Sequence, residues 1–282
     1  MKNRIIILIS LSLACITMWA QDAQPKKQNF VMRSTTFGVG ASNIYDTYLT
    51  PVEYKGIEFR ITSESMRMTR MLRGNVSGQS LLNVNFSLTE NDSETGNMYY
   101  GMANWSYALH YQFKLSKNLK ILTGPFLDLN AGFIYNVRNS NNPAQAKAYG
   151  GLGASGMAIY NFKIARYPMK LRYQVDIPLA GLAFSPQYGQ SYYEIFELGH
   201  RDHNVVFTSI HNAPSLRQML TLDFPVGNVI LRAGYLCDIR QFKVNHLRSH
   251  AYSNNFMIGF VRNIYRIKGK KRISMPNHVT PF

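Results

Sequence analysis

Residues Met98 to Leu115 alternate almost throughout between two kinds of side chain. Tyr99, Gly101, Ala103, Trp105, Tyr107, Leu109, Tyr111, Phe113 and Leu115 share one parity, and Asn104, Ser106, His110, Gln112 and Lys114 share the other. A period of two sends the two sets to opposite faces of an extended strand. The eighteen residues of this stretch exceed the usual strand of ~5–6 residues about threefold. A tilted strand crossing a bilayer needs ~9–11 residues and extends beyond them, so the pattern points to a membrane β-barrel.

Composition agrees with that reading. Charged residues make up 16% of the 282 positions, below the ~25% of ordinary soluble domains. Aromatic residues reach 13% and hydrophobic ones 46%. Beyond the first twenty positions there is no run of eighteen apolar residues, which excludes helical spans.

Nine further stretches alternate in the same way. They run over Ser34–Ser42, from Ile57 onward, Leu82–Leu88, Leu119–Tyr135, Tyr149–Ile164, Met169–Leu179, Ser215–Phe224, Val229–Arg240 and Phe256–Ile264. Three connectors are tight, at Ser116–Asn118, Ala165–Pro168 and Pro225–Gly227. Those at Glu90–Asn97, Val137–Ala148, Ser185–Pro214 and Phe242–His250 read as longer polar loops. Met66 to Gln79 fits worst, because a short turn is expected there. Short turns at one end and long loops at the other characterise outer-membrane barrels. The expected fold is all-β, a closed antiparallel transmembrane barrel of about ten strands, or twelve if Ser185–Pro214 hides two more.

The first twenty residues read as an export signal. Lys2 and Arg4 open it, Ile5 to Ala14 form its apolar middle, and Met18-Trp19-Ala20 precede the cleavage point. Lipoprotein processing at Cys15 is the competing reading. The organisation expected is a signal peptide over 1–20, a periplasmic lead over 21–33, the barrel over 34–267 and a basic periplasmic tail over 268–282. Loss of Cys15 with the signal leaves Cys237 alone, so no internal disulfide is expected.

The chain carries 31 Lys+Arg against 15 Asp+Glu, a formal charge of +16. An exported strand-rich chain makes outer-membrane lipids the expected partner rather than nucleic acid, with barrel-assembly machinery acting during insertion. Arg67, Arg70, Arg73, Lys114, Lys117, Lys163, Arg166 and the run Lys268–Arg272 all fall toward the short-turn end.

The inward parity carries Glu58, Arg60, Glu64, Lys120, Asp128, Lys170, Arg172, Asp176, Arg217, Asp223, Arg232, Asp238 and Arg240. Open channels appear at ~16–18 strands, so a ten-stranded lumen is expected to be filled, with both signs pairing across it. A narrow polar conduit is the sharper alternative, although ion-selective linings are dominated by one sign.

Candidate chemistry gathers in the long loop 185–214. His211 as base for Ser209 or Ser215, with Asn212 as orienter, forms one hydrolase reading. Asp202 with His203 activating water, as in omptin-like proteases, forms another. His200, Asp202 and His203 match no strong metal-ligand spacing, so no metal is expected. Gly150-Gly151-Leu152-Gly153 lies within a strand pattern rather than a phosphate loop, so no cofactor is expected.

Leu220-Thr221-Leu222-Asp223-Phe224-Pro225, Leu231-Arg232-Ala233-Gly234-Tyr235, Asp238-Ile239-Arg240 and Val244-Asn245 form a recognisable pattern. Asp46-Thr47-Tyr48-Leu49 and Glu53-Tyr54-Lys55-Gly56 add to it. The chain resembles a family of uncharacterised exported proteins from Bacteroidota. The resemblance implies an outer-membrane barrel and carries no site residues. A structural or surface-binding role with no known ligand is therefore the expected function. A surface hydrolase and a narrow channel stand as alternatives.

Overall fold

The computed structural model describes residues 30–265 apart from 141, 166 and 228. The expected signal peptide, most of the lead, Arg166 and the basic tail lie outside the described residues. The strands are β1 (Phe30–Asp46), β2 (Tyr54–Met68), β3 (Val76–Asn91), β4 (Asn97–Lys114), β5 (Leu119–Asn136) and β6 (Ala144–Ile164). They continue with β7 (Tyr167–Phe184), β8 (Val205–Ser209), β9 (Ser215–Val226), β10 (Val229–Val244) and β11 (Leu247–Tyr265). A five-residue helix, α1, covers Tyr192–Phe196.

Ten strands close into an antiparallel ring: β1 to β7 in order, then β9, β10 and β11 back to β1. One row of neighbours fixes the geometry. From Phe37 it passes Ile61, Val84, Ala103, Ala131 and Ala148 to Phe184. In the other direction it passes Ile258, Ala233 and Leu222 to Leu171. Positions 171 and 184 on β7 are thirteen apart, and one of those is the bulged Leu179, where the β6–β7 register shifts. A stagger of twelve over ten strands, at ~3.3 Å per residue and ~4.8 Å between strands, requires a tilt of roughly 40°. That tilt is normal for a closed membrane barrel.

β8 lies outside the ring count. It pairs with Ala180–Phe184 at the top of β7, while β9 pairs with Lys170–Asp176 lower down the same strand. Residues 210–214 make the jog between them. Pro178, with no N–H to donate, sits on β7 where the two pairings part.

The outer wall is apolar. Phe37, Phe59, Val84, Trp105, Leu129, Leu152, Tyr173, Leu220, Tyr235 and Phe256 all face outward and are exposed, Phe256 by 73%. In water such a continuous belt would be an aggregation surface; in a bilayer it is the solvated face.

The lumen is filled in three tiers. At the short-turn end Met32, Met66, Leu122, Met157, Ile159 and Val261 form a buried apolar layer. At the long-loop end Ile44, Leu49, Tyr54, Met98, Tyr100, Met102 and Ile134 form another. Between them lies the ionic tier described below.

Several boundaries depart from the alternation pattern. β1 opens at Phe30, within the stretch read as the lead. Met66–Gln79 is no long connector: β2 and β3 both extend into it, leaving a single 3-10 turn at Met71–Gly74. Phe242–His250 is no loop either. It is a hairpin whose turn residues Asn245 and His246 both have positive φ, 50° and 62°. Two such residues form the turn whose twist matches paired strands. The contrast in loop length therefore rests mainly on 185–214.

Val84 lies mid-belt on β3, 47% exposed. Val84→Arg is expected to lower stability by about 2–4 kcal/mol if it sits at the bilayer midplane. Urea unfolding in lipid vesicles measures this, with Lys117→Ala in the β4–β5 turn expected to change nothing.

Candidate functional site

The lumenal charges form one hydrogen-bonded network. Glu64 accepts from Arg172 Nη1 at 2.6 Å and Nη2 at 2.8 Å, and from Arg232 Nη1 at 2.6 Å. The far edge of Arg232 donates to both oxygens of Asp223, at 2.6 and 2.8 Å. Higher in the barrel, Arg217 donates to Asp176 at 2.8 Å and to Asn104 at 2.6 Å, and Asn104 donates to Asp128 at 2.8 Å. Asp128 accepts from Arg240 at 2.7 Å, Arg240 also holds Asp238 at 2.8 Å, and Arg60 links Asp238 to Glu58. Gln79 and Gln174 join the two halves, since Gln79 donates to Glu64 and Gln174 to Asp176.

Eleven of the thirteen charged residues read from the inward parity thus meet in one tier, Lys120 and Lys170 being the other two. Each of the eleven is buried. Glu58, fully buried, also accepts from Asn85, Ser87, Ser253 and Asn255. Ionised groups so far from water are tolerated when they are paired and hydrogen-bonded, as these are at all but a few atoms such as Arg172 Nε.

His110, Ser155 and Asp176 were not singled out as a group in the sequence, and they touch in the lumen. Ser155 donates to Asp176 at 2.5 Å, so His110 Nε2–H donates to Ser155 at 2.8 Å, and His110 Nδ1 has no partner. A hydrolytic triad places histidine between serine and carboxylate. Here serine is in the middle with its proton already committed to Asp176, so the trio is a structural relay. Its members sit on the inward faces of β4, β6 and β7, and only the register brings them together.

The long loop closes over the mouth. Asn245 donates to the carbonyls of Ser185 and His203, at 3.0 and 2.9 Å. Tyr48 donates to Gln190 O at 2.9 Å, and Tyr192 accepts from Ala146 N at 2.7 Å. Ser191 and Glu194 cap α1 reciprocally.

The loop does not assemble the hydrolase constellations. Ser209 and His211 share a hydrogen bond at the exposed rim. Asn212 cannot orient His211, because its side chain accepts from Ser209 N and donates to Phe207 O. Ser215 donates to Ala213 O instead. Asp202 and His203 meet their neighbours through backbone carbonyls. Among the described residues no three His, Cys, Asp or Glu side chains gather closely enough to hold a metal ion. Cys237 is a half-buried free thiol on β10.

A cavity of about 430 Å³ opens at the short-turn end, beside the apolar layer. Lys170, Asp223, Ile230, Val261 and Asn263 are among its lining residues.

A family model described as "Protein of unknown function (DUF3316)" matches residues 5–271. The chain belongs to this family. The match carries no source group, so the Bacteroidota part of the resemblance stands without support. No curated protein matches the chain. Among solved structures, the transport unit of the autotransporter AIDA-I from Escherichia coli is similar at 10% identity and TM-score 0.47, covering 88% of this chain and 93% of that one. The β domain of the Bordetella autotransporter BrkA is similar at 11% identity and TM-score 0.40, covering 85% and 100%. An outer membrane channel from Pseudomonas putida F1 follows at 8% identity and TM-score 0.37, covering 86% and 98%. With the ring closed, the wall apolar and the charges inside, the protein is a membrane-spanning β-barrel.

Glu64→Gln leaves Arg172 and Arg232 without their shared carboxylate, and is expected to cost about 3–5 kcal/mol. Chemical unfolding in vesicles reads it, with the change Glu197→Gln at an exposed residue as comparison. In the loop, burial pushes the Tyr192 phenol up to about 12 from its ordinary 10.0. Its contribution to loop docking is therefore complete below pH 10 and is lost as pH rises toward 12. The ultraviolet titration difference between the native protein and Tyr192→Phe should have its midpoint near 12.

Proposed function

We propose that this barrel is a non-conducting membrane scaffold with a structural or surface-binding role, presenting its long loop at the cell surface. One observation carries the reading: the lumen holds a mutually neutralised ionic tier flanked above and below by buried apolar layers. Ions crossing it would have to separate charge pairs already neutralised by one another, then pass methionine and isoleucine side chains. A conduit needs sites weak enough to leave. Pairs with N···O distances of 2.6–2.8 Å offer a permeating ion nothing to bind.

The loop supports the surface part of the reading. Tyr188, Tyr193, Phe196 and Leu198 are exposed beside α1, Tyr188 by 73%. Aromatic side chains on a pinned loop suit recognition of a partner more than catalysis. Residues 1–20 act in this scheme as the cleavable export signal. The short-turn end then faces the periplasm, where Arg67, Arg70, Lys114, Lys117 and Lys163, all exposed, meet anionic headgroups. Insertion falls to the barrel-assembly machinery.

Planar-bilayer recording of the purified protein tests the proposal. No unitary conductance is expected at moderate voltage. Steady channel openings that disappear on Met66→Trp would replace the scaffold with a narrow channel.

A further inference from the structure

Every guanidinium of the ionic tier has a carboxylate within reach, whereas Lys170 does not. Its side chain is 8% exposed, and among the described residues it makes no hydrogen bond or ion pair. Asp223 is its register partner across β7 and β9, but both Asp223 oxygens are held by Arg232. Around this point the lower half of the tier sets three cations, Lys170, Arg172 and Arg232, against Glu64 and Asp223 alone. A buried ammonium without a counter-ion is costly.

The cavity at the short-turn end supplies the other half of the observation. Its volume of about 430 Å³ falls in the ~300–1,000 Å³ range of small-molecule pockets. Lys170 lines it, and so do Pro168, Pro225, Ile230 and Val261, with Asn263 among its polar groups. Lys163 and Asp223 line it too, but Lys163 is exposed and Asp223 is held by Arg232, so Lys170 is the buried cation left over beside the apolar part of the wall, the chemistry of a charged head and a greasy body.

We propose that this vestibule binds an amphipathic monoanion, a carboxylate on a short unbranched hydrocarbon chain, with its head at Lys170 and its chain along Ile230, Val261 and Pro225. A carboxylate fits better than a phosphate. Phosphate recognition draws on guanidinium forks or clustered backbone N–H groups, and the neighbouring forks of Arg172 and Arg232 are spent on Glu64 and Asp223. Of the two lysines in the lining only Lys170 is buried, and its one unneutralised charge calls for a single negative charge.

Isothermal titration of octanoate into the full chain in phosphatidylcholine nanodiscs, with empty discs as blank, tests this. Saturable one-to-one binding is expected, weakened at least tenfold by Lys170→Met, with octylamine and inorganic phosphate giving no saturable signal. Removing an unpaired buried charge should leave folding intact, which mobility on unheated gels checks. If Lys170→Met does not insert, acetate, butyrate and octanoate on the native protein decide, with affinity expected to rise with chain length. Equal binding by Lys170→Met, saturation by octylamine or phosphate, a flat chain-length series, or partition no greater than into empty discs would each overturn the proposal.

Discussion

The mutual neutralisation of charges in the lumen is the interaction on which everything else depends. Ten strands closed on themselves leave no edge for lipid to meet, but they turn every second side chain inward. Those inward positions include Glu58, Glu64, Asp128, Asp176, Asp223 and Asp238 together with five arginines. Separately, each would carry a desolvation cost of several kcal/mol. Joined through Asn104, Gln79 and Gln174, they become a cross-braced interior that ties β2, β3, β4, β5, β7, β9 and β10 together. The apolar effect that holds most proteins together acts here on the outside, where lipid satisfies it.

The two apolar layers complete that arrangement. Methionine supplies much of both, with Met32, Met66 and Met157 below and Met98 and Met102 above. A flexible unbranched side chain suits a lumen whose width is fixed by strand number and stagger. The layers keep water from the ion pairs and so preserve their strength. The wall departs from regularity at one seam, where the β7 bulge, Pro178 and the 210–214 jog divide one descending strand into β8 and β9. Hydrogen bonds from Asn212 to Phe207 and from Lys243 to Asn212 close the jog.

The fold was legible because the polar and apolar parities are cleanest in mid-membrane. Strands such as β4 and β7, and all eleven ionic residues, follow from parity alone. Legibility failed toward both ends of the lumen. There Met66, Leu122 and Ile134 face inward, so the inward parity turns apolar and the alternation dissolves. Hence β2 and β3 looked too short, and Met66–Gln79 looked like an awkward connector. The β10–β11 hairpin was missed for a different reason: Asn245-His246 is a two-residue turn without glycine, flanked by polar strand residues such as Lys243 and Arg248. The unpaired state of Lys170 was illegible as well, because parity places a charge in the lumen but does not say which partner claims Asp223.

Trp105 provides the most direct test of the inside-out arrangement, being the one tryptophan beyond residue 20 and sitting on the outer face of β4. Its fluorescence should be measured in vesicles containing phospholipids brominated along the acyl chain. The expected result is strong quenching by the brominated lipid and little by aqueous iodide. Emission untouched by bromine would place the indole in a protein interior and contradict the account.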